Sequence, residues 1–204
     1  MHRTVDFYFD FMSPYAYLAH HRLVRMTRRL GWEVVYRPVD LAQAKLAVGN
    51  TGPANREMPI KHRYLRTDLK RWADLYGVPF VPPAGYGSER VNRGAFYAID
   101  RNCAEAYVTF AWRRIWGEGA AMNSDELLRE VGRSMGWDVQ DLLRYTESEA
   151  AVQRLRASNE AATQRGIFGV PTMAIGDEIW WGNDRMDFVE RHMNNYFEIA
   201  SEPQ

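Results

Sequence analysis

The stretch FYFDFMSPYAYL, Phe7–Leu18, decides how the rest of the chain is read. The segment TVDFYFD, which overlaps it, is rich in β-branched and aromatic residues and predicts a strand. Ser13 then offers an N-cap oxygen, and Pro14 suits the first helical position, where its missing N–H would be unpaired anyway. Tyr17, Leu18, Leu23, Val24 and Leu30 fit the apolar face of a helix that Gly31 closes. WEVVYRPV reads as the next strand. A crossover through one helix makes the two strands parallel, with a right-handed connection.

From about Leu41 the pattern becomes helices separated by glycine and proline. PIKHRYLRTDLKRWADLYG predicts a helix with Pro59 in its first turn and Gly77 past its end. VPFVPPAGYGSERVNRG has too many breakers for regular structure and reads as a loop. One long helix is expected from about Gly94 to Trp116, with Cys103 inside it as a small buried hydrophobe. Shorter helices follow, with Asn123, Asp138 and Ser148 as caps. TMAIG and EIWWG read as a hairpin turning at Gly176-Asp177, and a last helix opens at Asn183 or Asp184. The ends thus read βαβ…ββα. That predicts an α/β fold: a thioredoxin-like domain, residues 1–40 and 165–204, split by an inserted all-helical domain, residues 41–164.

Composition narrows the function. The chain has 204 residues, 46% hydrophobic and 25% charged, as in an ordinary globular protein. Lys+Arg and Asp+Glu are equal at 26 each, so no net field draws nucleic acid or an anionic membrane, and any anion site must be local. A single cysteine excludes an internal disulfide and a CxxC redox pair. With five histidines and no HxxxH spacing, no metal is expected; adjacent His20 and His21 point about 100° apart on a helix. No GxGxxG, P-loop or GxSxG elbow occurs. The N-terminus lacks the features of a signal peptide and no segment is apolar enough to span a bilayer, so the cytoplasm is the expected location.

Four segments carry chemistry, each beside a plainer reading. Ser13 at a helix N-terminus caps the helix, or donates its hydroxyl to a thiolate that a ligand brings there. In FGVPT, Phe168–Thr172, Pro171 either starts a strand in trans, or forms a cis-proline loop whose Val170 backbone pairs with an extended peptide. WWGNDR, Trp180–Arg185, caps a helix, or holds both ends of an α-amino-carboxylate. In KLAVGNTGPANR, Lys45, Asn55 and Arg56 are solvated loop groups, or a clamp for a carboxylate and a phenol or carbonyl.

Taken with RWADLYGVPF, AWRRIWGEG and IFGVPTMAIGDEIWWGNDR, these segments resemble the kappa-class glutathione transferases and their relatives over essentially the whole chain. Lys45, GPANR and WWGNDR resemble the 2-hydroxychromene-2-carboxylate isomerase branch. The resemblance implies glutathione as cofactor, lying along Val170 and Pro171, its γ-glutamyl end held by Trp181, Gly182, Asn183 and Asp184 and its sulfur facing Ser13. It implies an aromatic enone substrate with its carboxylate and phenol at Lys45, Asn55 and Arg56, Tyr86 lining the pocket, and a homodimer. A transferase that releases conjugates of electrophiles shares Ser13, Val170 and the Asn183-Asp184 grip, and a glutathione-binding protein without turnover shares them too.

Overall fold

Strand β1 (Thr4–Phe9) ends at a turn, and helix α1 (Pro14–Leu30) starts on the Ser13 cap and stops at Gly31, whose φ of 70° is the left-handed conformation that glycine adopts freely. Strand β2 (Glu33–Pro38) returns parallel to β1, Phe7 opposite Tyr36 and Phe9 opposite Pro38. Strands β3 (Thr172–Ile175) and β4 (Glu178–Trp181) form the hairpin. β3 runs antiparallel to β1 with Tyr8 opposite Thr172, giving a mixed sheet in the order β2-β1-β3-β4. The computed structural model describes residues 3–53 and 57–200, with side chains up to residue 196.

Between β2 and β3 lie α2 (Leu41–Ala47), α3 (Pro59–Tyr76), α4 (Glu89–Ile99), α5 (Ala104–Trp112), a π-helical turn (Arg113–Gly117), α6 (Asp125–Met135), α7 (Val139–Glu147) and α8 (Glu149–Gln164). A 3-10 turn (Asn183–Arg185) leads into α9 (Met186–Ala200). One face of β1, Val5, Phe7 and Phe9, is fully buried in a core shared with α1 and the helical insertion. Trp112 of α5 packs edge-on against Phe9 at 5.2 Å and tilted against Phe11 at 5.0 Å. Each such buried side chain contributes about 1.5–3 kcal/mol. The other face, through Tyr8 and Ala174, packs a smaller cluster with Val39, Ala162, Ile167 and Val170.

The helical segment departs from the sequence reading in four places. The loop after α3 ends at Ser88, and α4 begins at Glu89 because Val91, Ala95 and Ala98 turn a buried stripe inward. The expected long helix is two: α4 stops at Ile99 and the chain turns through Asn102 at φ 54°, a conformation asparagine tolerates better than most residues. α5 folds back so closely that a Cβ at Gly94 would lie 2.2 Å from the Tyr107 hydroxyl, which donates to the Val91 carbonyl at 2.8 Å. Cys103 is consequently the half-buried residue before α5 rather than an interior one. The cap of α6 is Ser124, whose Oγ accepts from Leu127 N, and not Asn123; Asp138 and Ser148 cap as expected. No helix among the described residues is long and apolar enough to cross a membrane.

Candidate active site

The sheet register gathers the candidate residues at one end. β1 and β2 run parallel and both finish there, while β3 starts there; Pro171 immediately precedes Thr172, the partner of Tyr8. Trp181 closes β4 opposite Thr172, and Gly182 N–H donates to the Pro171 carbonyl at 2.9 Å. Ser13, Val170, Pro171 and the 181–184 turn therefore share the carboxyl end of β1, the usual place for a ligand in an open α/β sheet. The expected cis bond is present between Val170 and Pro171.

Ser13 is 5% exposed, and its Oγ accepts from Ala16 N at 3.2 Å, so it is a cap. A hydroxyl that accepts still has its proton to donate. Three residues upstream, Asp10 is 2% exposed, and burial pushes its carboxyl up. Hydrogen bonds oppose that shift: Leu41 N donates at 2.8 Å, Met12 N at 2.9 Å and Asn92 Nδ2 at 2.9 Å.

The glutathione candidates divide by what their atoms already do. Trp181 is half-exposed and lies edge-on to Phe168 at 5.0 Å. Its ring approaches so near Gly169 that a Cβ there would be 2.7 Å from Nε1. Gly182 holds φ 110°, and a Cβ on it would meet the Asp184 carboxylate at 2.5 Å. With its N–H on the Pro171 carbonyl and its own carbonyl accepting from Arg185 N at 3.3 Å, Gly182 shapes the turn. Asn183 is likewise turned inward. Its side chain is 2% exposed and lies beside the Tyr76 hydroxyl, facing away from the open turn. The Asp184 carboxylate is open and pairs with Arg185 at 3.3 Å. A turn with an open carboxylate, helical N–H groups that lack intrahelical acceptors and a side-chain-free residue suits an α-amino-carboxylate.

Lys45 lies half-buried on α2, whose first N–H, Leu41, is bonded to Asp10, so α2 starts from the same sheet end. Tyr86 is half-exposed on the loop before α4, two residues from buried Ser88, which lies against Asp10. Asn55 and Arg56 lie outside the described residues. Sequence reasoning missed Tyr15, whose hydroxyl donates to Asp68 Oδ2 at 2.7 Å. Burial first, then Asp68 and more weakly Asp184, push its phenol up, so Tyr15 is a fixed neutral group next to Ser13. Asp68 is distant in sequence, and only the packing of α1 on α3 pairs them.

Comparison with known proteins identifies the family and the fold. The family model of the DSBA-like thioredoxin domain matches residues 4–194. The chain is similar to the 2-hydroxychromene-2-carboxylate isomerase of Pseudomonas putida, 46% identical over 93% of each chain. It is also similar to that of Sphingobium xenophagum, 43% identical over 95% of this chain and 99% of the relative. A solved structure of a 2-hydroxychromene-2-carboxylate isomerase superposes with a TM-score of 0.92 at 43% identity, covering 98% of this chain and all of the other. A more distant relative is rat glutathione S-transferase kappa 1, 25% identical over 92% of this chain and 89% of the relative.

Proposed function

We propose that this chain, which belongs to the DSBA-like thioredoxin-domain family and within it to the 2-hydroxychromene-2-carboxylate isomerases, is a glutathione-dependent cis-trans isomerase. It interconverts 2-hydroxychromene-2-carboxylate and trans-o-hydroxybenzylidenepyruvate in the breakdown of naphthalene and related aromatics. The observation that carries the reading is Ser13: a nearly buried hydroxyl on the first turn of α1, beside an open carboxylate turn fit for a γ-glutamyl group. The kappa-class relative supports glutathione as the thiol.

The chromene opens to a cis enone, and rotation about its C=C bond is blocked while the π bond stands. When bound, glutathione supplies a thiolate whose reversible addition removes that bond and whose departure restores it. The protein's part is to present that sulfur as an anion. Ser13 donates one hydrogen bond to it, and the α1 N-terminus adds roughly half a positive charge, which together lower a thiol pKa. A serine does so without the disulfide chemistry that would trap the thiol. Asp184 would hold the ligand's ammonium and the Val170 backbone its peptide, with Pro171 and Trp181 as the walls. Lys45, Asn55 and Arg56 hold the substrate's carboxylate and phenol, with Tyr86 at the pocket edge. The enzyme works in the cytoplasm as a homodimer.

The test follows the ultraviolet spectrum of 2-hydroxychromene-2-carboxylate with enzyme, with and without catalytic glutathione, and titrates free thiol at the end. Conversion to the trans enone that requires thiol but leaves it undiminished is the expected result. Thiol lost into a stable adduct identifies a conjugating transferase instead, and binding without conversion a protein that only holds glutathione.

A further inference from the structure

The loop from Asp10 to Ser13 leaves the sheet, so its amides lose the strand ladder and must be satisfied elsewhere. Each is. Met12 N donates to Asp10 Oδ1 at 2.9 Å and Ser13 N to the Asp10 carbonyl at 2.9 Å. Phe11 is held from both sides by the helical insertion: its N–H donates to Asn92 Oδ1 at 3.1 Å, and its carbonyl accepts from Trp116 Nε1 at 2.8 Å. Asn92, 1% exposed, spends its Nδ2 on Asp10 Oδ1 at 2.9 Å and on the Val39 carbonyl at 3.1 Å. Trp116, 5% exposed, reaches Phe11 from the π-helical turn that ends α5. It is fixed in turn by a parallel stack on Phe80 at 5.7 Å and by Val81 N donating to its carbonyl at 2.7 Å. π turns inside helices are frequent at functional sites because they redirect one side chain without ending the helix.

We propose that Asn92 and Trp116 are positioning residues for Ser13: by gripping both polar groups of the Phe11 backbone, they set where the Ser13 hydroxyl stands relative to the bound thiol. This rests on the reading of Ser13 given above. Neither side chain touches a ligand, since both are buried behind the loop and their polar atoms are used on it. The grip matters for rate because a hydrogen bond to a sulfur anion weakens steeply with misalignment, and a displacement near 1 Å can cost about a hundredfold. Apolar packing at either position would also leave the Phe11 N–H or carbonyl buried without its partner, so a loss of stability is expected beside any loss of placement. What that packing would leave unfixed is the register of the loop.

The experiment is a double-mutant cycle in the glutathione-saturated enzyme. Trp116→Phe retains a ring against Phe80 but removes the N–H donor together with part of the buried ring volume, which the melting temperature reports; Asn92→Ala removes the bonds to Phe11 N–H and to Asp10. Each is made alone and with Ser13→Ala. Measurements are kcat, KM, melting temperature, glutathione affinity by calorimetry, and the ultraviolet absorbance of bound thiolate. Trp116→Phe is expected to lower kcat about three- to tenfold, the loss of one ordinary hydrogen bond, with KM and glutathione affinity nearly unchanged and less bound thiolate at fixed pH. In the Ser13→Ala background the same substitution should change kcat and thiolate absorbance no further. An equal loss in both backgrounds, or a folded Trp116→Phe enzyme with wild-type kcat and thiolate, overturns the positioning role while leaving Ser13 in place. A wild-type rate in Ser13→Ala alone removes Ser13 itself and this inference with it. If Asn92→Ala does not fold, the Trp116 cycle decides.

Discussion

Ser13→Ala separates two jobs that one oxygen performs. As a cap, Oγ accepts from Ala16 N at 3.2 Å inside a site that is 5% exposed. Removing such a cap costs about 1 kcal/mol, which for a chain of this size lowers Tm by roughly 2–4 °C. As a donor to a thiolate, the hydroxyl makes a charge-assisted bond worth about 1.5–3 kcal/mol, and its loss slows the reaction roughly ten- to hundredfold. The two effects are distinguished by Ser13→Gly. Glycine at an N-cap costs only a few tenths of a kcal/mol, so this variant should nearly recover the melting temperature while staying as slow as Ser13→Ala. Turnover is read from the trans-enone absorbance under saturating glutathione, and stability from thermal unfolding of the same preparations. Rate tracking stability across the pair, fast in Gly and slow in Ala, would mean that Ser13 acts only through the helix it caps. A wild-type rate in both would exclude it from the chemistry altogether.

Three further outcomes are expected. Asp184→Ala should raise the glutathione Kd about tenfold or more while leaving the fold intact, since its carboxylate is open to solvent and its ion pair among the described residues is with neighbouring Arg185; unchanged affinity by calorimetry would move the γ-glutamyl end elsewhere. Lys45→Met should raise KM for the carboxylate substrate about tenfold with glutathione affinity untouched, and an unaltered KM in steady-state assays would remove Lys45 from substrate binding. His20 is 2% exposed, and burial first, then neighbouring His21 and Arg28, hold its imidazole down to about 3, with Nε2 2.8 Å from the Tyr36 hydroxyl. Because its folded pKa lies below the unfolded value, its contribution is intact above about pH 6.5 and is lost as pH falls towards 3, by about 2 kcal/mol between pH 7 and pH 5. Denaturant unfolding of wild type against His20→Gln should show that slope flatten in the variant, and parallel curves would disprove the assignment.

The sheet and the helix start at Ser13 were legible because the signals are local. Ser13-Pro14 starts a helix, Gly31 ends it, and Gly176-Asp177 turns a hairpin, each within a few residues of its effect. The 181–184 turn was legible as a place but not as chemistry. Nothing in WWGNDR says that Gly182 spends its amide on Pro171 or that Asn183 faces Tyr76, because both depend on how β4 meets β3 and how α3 packs.

The misread stretches have a common cause and a common destination. α4 begins inside what composition marks as a loop, α4 and α5 separate without a proline, and α5 ends in a π turn that no residue type announces. Each departure from a regular pattern is imposed by tertiary contact: Gly94 against Tyr107, Trp116 against Phe80 and Phe11. The first two place Asn92 and the π turn around the buried core, and the first and last deliver the two side chains that hold the Phe11 backbone, 81 and 105 residues away in sequence. Local propensity is expected to fail where a backbone is bent to serve a site. Two of the failures here, the early start of α4 and the π turn, supply the side chains that hold the loop before Ser13. A carboxyl group as deeply buried as Asp10 is unfavourable unless its oxygens are answered by hydrogen bonds, and the residues that answer it come from the start of α2, α4 and the loop itself. The same bonds that make that burial tolerable leave the loop little freedom to move, so the stability of the Asp10 cluster and the placement of the Ser13 hydroxyl are one physical requirement.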